Sequence, residues 1–129
     1  MTGTGGRGTL AAVPSFSKIR QRLTASVQQL DQARLQERYQ GLGLTPIGEA
    51  PLREPVRVGG EIQESRLVPR AGSPALEVTI SDGTGRATGV FTGRKALHGV
   101  TLGRGIVLEG VARTERGRLV LLNPAYTLL

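Results

Sequence analysis

The chain has 129 residues, no cysteine, and 17 Lys and Arg against 10 Asp and Glu, for a net charge of +7. That length suits one domain with an appendage. The absence of cysteine excludes a disulfide framework, a thiolate nucleophile and a thiolate metal site, and it fits a reducing compartment. No apolar run approaches the ~20 residues that span a bilayer, and no charged start followed by an apolar core marks a secretory signal, so the expected location is cytoplasmic and away from membranes.

Fifteen of the basic residues are Arg and two are Lys, Lys18 and Lys95. The planar guanidinium matches phosphate oxygens in a bidentate fork and stacks on flat rings, which the ammonium group does not. Residues 1–54 carry a net +3 and residues 55–129 a net +4. The positive charge is therefore distributed, and polyanions are attracted to both parts.

Residues 2–9, Thr-Gly-Thr-Gly-Gly-Arg-Gly-Thr, are too poor in apolar side chains to pack, and residues 1–14 are expected to be a disordered tail. The same string lacks the preceding strand that a dinucleotide-binding glycine loop requires. From Ser15 the composition turns to Gln, Arg, Leu and Ala, which are strong helix formers. Ser15 is a fitting N-cap, and Phe16, Ile19 and Leu23 recur on one helical face. A break is expected at Thr24-Ala25-Ser26, followed by a second helical stretch bearing Val27, Leu30, Leu35 and Tyr39 and stopped by Gly41 and Gly43. Residues 15–43 are thus expected to be a helical arm that docks on the barrel, pairs with a protein partner or a second copy, or is only partly ordered. Pro46 and Pro51 make residues 44–54 an extended linker.

Residues 55–129 read as five short strands. The first is Pro55 to Ile62, with Gly59-Gly60 marking a bulge or sharp bend. The second runs Ala75 to Ser81, where Leu76, Val78 and Ile80 alternate with Glu77, Thr79 and Ser81 in the period-two pattern of a half-buried sheet. Asp82-Gly83-Thr84-Gly85 tolerates positive φ and joins it in a hairpin to Arg86–Thr92. There Ala87, Gly89 and Phe91 face the core, and Arg86, Thr88 and Val90 face outward. The fourth strand runs Gly105 to Val111, Glu115-Arg116-Gly117 is a second hairpin tip, and Leu119 to Tyr126 closes the tract across Asn123-Pro124.

No catalytic constellation emerges. His98 is the single histidine and has no second ligand near it in sequence. There is no Gly-x-Ser-x-Gly elbow, and Lys95 lacks both P-loop spacing and a following Ser or Thr. Neither an enzyme, a cofactor nor a metal is expected.

Four elements in this order carry a family resemblance: Val56-Arg57-Val58-Gly59-Gly60, then Ser81-Asp82-Gly83-Thr84-Gly85, then Leu102-Gly103 with Gly110, then Asn123-Pro124-Ala125-Tyr126. Residues 53–128 resemble the OB-fold, a mainly β, five-stranded Greek-key barrel. They are similar in particular to the anticodon-binding domains of tRNA synthetases and the wedge domain of the RecG branch-migration helicase. The whole chain looks like small stand-alone OB-fold proteins of actinobacteria. OB-folds bind on the face of their second and third strands, flanked by the loops joining strands one to two and four to five. The resemblance therefore implies a nucleic-acid-binding face of Thr79, Arg86, Thr88 and Arg94 beside Glu77 and Val90. Arg66 and Arg70 come from a first loop over about Val68 to Ala75, and Arg113, Arg116 and Arg118 from a second.

Those arginines against Glu64 and Glu115 would form a basic clamp for a phosphate backbone. The face holds no aromatic for base stacking, so salt-sensitive binding with little sequence preference is expected, to single-stranded or junction DNA first and RNA second. The alternative is a protein-interaction adaptor that uses the barrel or the helical arm, because the fold alone does not decide function.

Overall fold

The computed structural model describes residues 15–129, with side chains from residue 26 onward. The tail expected over residues 1–14 and the Phe16, Ile19 and Leu23 side chains lie outside the described residues. Two units are distinguished along the chain, Met1–Asp31 and Gln32–Leu129, and the barrel belongs to the second.

Helix α1 is continuous over Ser15–Tyr39, so the break expected at Thr24-Ala25-Ser26 does not occur. Neither Gly nor Pro stands within it, and Thr and Ser cost only some tenths of a kcal/mol each inside a helix. Its last turns bury Leu35 and Tyr39. The extended linker expected over 44–54 is instead pinned. Ile47–Glu49 forms a 3-10 turn that sends Ile47 into the core, and Thr45 N–H donates to the Arg57 carbonyl at 2.8 Å.

Six strands follow: β1 (Pro55–Arg70), β2 (Ser73–Ser81), β3 (Arg86–Thr92), β4 (Gly105–Glu115), β5 (Arg118–Leu122) and β6 (Ala125–Leu128). The sheet order β1-β2-β3-β5-β4, with β1 also pairing β4, closes a ring, and β6 adds beside β4. The fold is a mainly β, OB-like barrel. The sixth strand corrects the expected five. Asn123, at φ 48, and Pro124 split the last tract, so that β5 runs parallel to β3 while β6 pairs antiparallel with β4. The break is held by the Asn123 side-chain oxygen, which accepts from the Thr92 backbone N–H at 2.9 Å.

Strand β1 is twice as long as the sequence suggests. No loop spans Val68 to Ala75; β1 pairs β2 as far as Arg70 with Ser73. The connection is a two-residue turn with Ala71 at φ 50 and Gly72 at φ 82, the doubly left-handed geometry that matches strand twist. Nor does a bulge sit at Gly59-Gly60, both of which lie in regular register with β4. The irregularity falls between Ile62 and Glu64. Glycine is required at 60 for a different reason: a Cβ there would lie 2.6 Å from the Ser81 carbonyl oxygen.

The main core joins Val58, Ile62, Leu76, Val78, Ile80, Ala87, Phe91, Ile106, Leu108 and Leu121, with Leu97 from the β3–β4 connection. Phe91 and Tyr126 meet edge to face, ring centroids 5.7 Å apart. A second, smaller core of Ala75, Val90 and Val120 packs with Val68 on the opposite face of the sheet. Strand β3 is thus covered on both sides, and Val90 and Thr88 are 0% and 3% exposed. The outward phase of these two residues does not make them surface residues.

Two sets of substitutions test this layout. Ile80→Ala is expected to cost about 2–5 kcal/mol in denaturant unfolding. Val90→Ala should also destabilise clearly, whereas exposed Val111→Ala stays within about 0.5 kcal/mol. A silent Val90→Ala would remove the second core. Gly60→Ala should cost at least ~1–3 kcal/mol through forced backbone movement.

Candidate functional site

The outer face of β2, β3 and β5 has a floor of Ala75, Glu77, Thr79, Thr88, Val90 and Val120, by the alternation of strand side chains and the registers between them. Two clefts lie over it. One, of about 520 Å³, is lined by Glu64, Arg66, Thr79, Arg86, Thr88 and Arg118 with Gly117 and Leu119. The other, of about 370 Å³, is lined by Arg66, Val68, Pro69, Arg70, Glu77, Glu115, Arg116 and Arg118. Arg66 and Arg118 line both, and so stand between them.

The hairpin turns place these side chains. Ala71-Gly72 brings Arg70 to the end of β1, and Arg116-Gly117, at φ 51 and 77, turns β4 back into β5. Both are two-residue connections, so the residues before and after each are held in cross-strand register. Arg118 faces Glu115 in that way, and Arg66 faces Glu77.

Two carboxylates organise the arginines. Glu77 is 6% exposed, and its Oε1 accepts from Arg66 at 3.2 Å and from Arg118 at 3.1 Å. One buried oxygen thus draws together guanidinium groups from β1 and β5. Glu115 accepts two bonds from Arg70, at 3.1 and 2.6 Å, and a third from Arg113 at 2.5 Å. Arg118 above all holds the Glu77 carboxyl below the usual carboxylate range, against the opposing effect of burial. Arg70, and after it Arg113, hold that of Glu115 down to about 2.

The nine residues read from the sequence therefore separate into groups. Arg66, Arg70, Arg113 and Arg118 are engaged by Glu77 and Glu115. Thr79 and Thr88 hydroxyls bond each other at 3.1 Å, so the pair is structural as well as cleft-lining. Arg86 and Arg116 are exposed at the cleft rims. Arg94 is exposed in the turn after Gly93 and lines neither cleft. Sequence reasoning undervalued Glu77, treated as one more outward residue. Its alternation with Leu76 and Val78 gave its direction, but the two arginines that meet it arrive from 11 and 41 residues away.

Asp82 has a structural role at the other end of β2. Its Oδ2 accepts from the Ile47 N–H at 2.9 Å, and its Oδ1 from the Thr84 N–H and hydroxyl at 2.9 and 2.6 Å. Nearby lies a further cleft of about 250 Å³, lined by Gln36, Tyr39, Gln40, Gly41, Leu44, Thr45, Pro46, Asp82 and Thr84. It contains no cationic side chain.

No protein-family model matches the chain, and no curated protein matches it. A solved structure does. The solution NMR structure of the replication factor A related protein from Methanobacterium thermoautotrophicum aligns with a TM-score of 0.52 at 19% identity, covering 68% of this chain and 92% of that one. At this identity the likeness establishes the barrel fold. No helix among the described residues is long and apolar enough to cross a membrane.

Both carboxylates titrate below their ordinary value, so each stabilises the fold above its unfolded pKa and loses that contribution as pH falls toward its folded one. For Glu115 the window runs from 4.5 down to about 2. The urea midpoint is expected to fall through this range, and Glu115→Gln should flatten the fall. An unchanged profile in Glu115→Gln would show that the Arg70 and Arg113 bonds do not stabilise the fold.

Proposed function

We propose that this chain is a nucleic-acid-binding module, not an enzyme. In this reading it engages single-stranded or junction DNA first and RNA second, with little sequence preference, through the arginine-lined clefts over β2, β3 and β5. The observation that carries the reading is charge at one place: six arginines (66, 70, 86, 113, 116 and 118) against Glu64, Glu77 and Glu115 in and around two adjoining clefts. A surplus of guanidinium groups over carboxylates suits a phosphate backbone. The barrel shared with a replication factor A related protein supports the same reading. The closer resemblance to anticodon-binding, junction-wedge and actinobacterial stand-alone barrels rests on the four sequence motifs.

The floor offers no aromatic ring on which bases would stack, a contact that elsewhere contributes about 1–3 kcal/mol per base. Affinity then comes from phosphates. Arg86 and Arg116 supply the contacts available without rearrangement, and the binding is weak and sequence-tolerant. A second reading, docking to a protein through α1, is favoured by Val27 and Leu30, which are 63% and 71% exposed on that helix.

Fluorescence anisotropy with an oligo-dT strand, a duplex and an RNA at several salt concentrations tests the proposal. For three to five phosphates contacted, log K against log salt should slope by roughly −2 to −3.5 for single strands. Arg86→Ala and Arg116→Ala should each weaken all single strands and flatten that slope by about 0.7. Arg20→Ala with Arg22→Ala on α1 should change nothing. Binding that ignores salt would remove the nucleic-acid reading, and binding lost on the helix substitutions alone would transfer the function to α1.

A further inference from the structure

The clefts proposed above to take a phosphate backbone are already engaged by the protein's own anions. Glu115 receives three guanidinium hydrogen bonds, two from Arg70 on β1 and one from Arg113 on its own strand. That is the environment a phosphate group finds in an arginine fork. The arrangement also ties the end of β1 to the end of β4, over the small core of Ala75, Val90 and Val120 packed with Val68. A strand of nucleic acid passing between the two hairpin turns meets this link.

From this geometry we infer that Glu115 is an internal stand-in for a ligand phosphate: it occupies the fork of Arg70 and Arg113, and a phosphate of the bound strand displaces it. The inference rests on the nucleic-acid reading and deepens it by naming the residue that limits affinity. In the free protein two of the six arginines share the single negative charge of Glu115. In the complex they turn to phosphate, and the Glu115 carboxylate is released to solvent, which its half-buried position at the hairpin end permits. Glu77 differs, because it lies beneath the side chains and neither of its arginines gives it both terminal nitrogens, as Arg70 gives Glu115. Arg66 and Arg118 keep their other donors, so Glu77 positions them without consuming them.

The test compares Glu115→Gln with Glu109→Gln. Glu109 lies on the same strand and bonds Arg57 at 3.2 Å, so both substitutions remove one negative charge and release guanidinium groups, but only one does so at the clefts. Each protein is titrated with an oligo-dT strand and, separately, with short-chain inorganic polyphosphate. Glu115→Gln should bind both about tenfold more tightly than wild type, as loss of a competing charge-assisted partner implies. Its salt slope for the oligonucleotide should stay close to that of wild type, because the same phosphates are contacted once Glu115 has been displaced. Glu109→Gln should match wild type, and Glu115→Ala repeats the gain with the side chain removed.

If wild type binds the oligonucleotide and Glu115→Gln binds no tighter, or Glu109→Gln gains as much, the stand-in role is overturned while the nucleic-acid reading stands. If Glu115→Gln gains on polyphosphate and no protein binds the oligonucleotide, the stand-in role survives and the nucleic-acid reading falls. Binding of neither probe by any of the proteins overturns both.

Discussion

Strand β1 hydrogen-bonds β4 along its first half and β2 along its second, and Glu61 is paired to both Gly105 and Ser81. One strand serves two neighbours in this way around Glu61, and next to it the backbone of Gly60 lies against that of Ser81. Closure of the barrel depends on that approach. An open sheet of the same strands would leave β1 and β4 as free edges and would not enclose the core of Val58, Ile80, Ile106 and Leu108. The register irregularity beyond Ile62 then re-aims the second half of β1, so that Arg66 and Arg70 meet Glu77 and Glu115.

Burial on the far side of the sheet is the second consequence. A small barrel needs one hydrophobic interior, and β2 and β3 supply it with Leu76, Val78, Ala87 and Phe91. The outer face of these strands and of β5 carries Ala75, Val90 and Val120, which are as completely buried as the interior. Guanidinium side chains with long apolar stems lie over such a floor while their charged ends stay at the surface. Their charge is balanced locally, because two carboxylates under or among them accept five hydrogen bonds. The outer face is consequently a lattice of paired charges with a positive surplus, quite unlike a bare basic groove.

This has a bearing on what such a surface can recognise. A lattice of arginine and glutamate exchanges partners at little net cost when another oxyanion arrives, since hydrogen bonds are traded and not simply lost. In the proposed nucleic-acid reading, such a lattice would respond to charge and spacing along a backbone and would have little means to distinguish bases. The Asp82 loop at the opposite end of β2 is of another kind. There a carboxylate is saturated by the backbone of the 3-10 turn and by Thr84, which fixes the chain that leads into the barrel.

Much of the barrel was legible in the chain itself. The alternation of Leu76, Val78 and Ile80, the glycine-rich Asp82–Gly85 turn and the Arg116-Gly117 tip are local signals, and local stereochemistry is enough to read them. The helix from Ser15 was legible as well, although its continuity was not, because the small cost of Thr24 and Ser26 looked larger than it is. The tertiary structure decided the remainder. The length of β1 depends on its pairing with Ser73–Ser81, and the polar stretch Glu64–Arg66 gives no sign of it. The state of Arg66, Arg70 and Arg118 depends on partners 11 to 45 residues away. Sequence fixes how many guanidinium groups a chain carries, but only the closed sheet determines which carboxylate each one meets, and hence which remain available to a ligand.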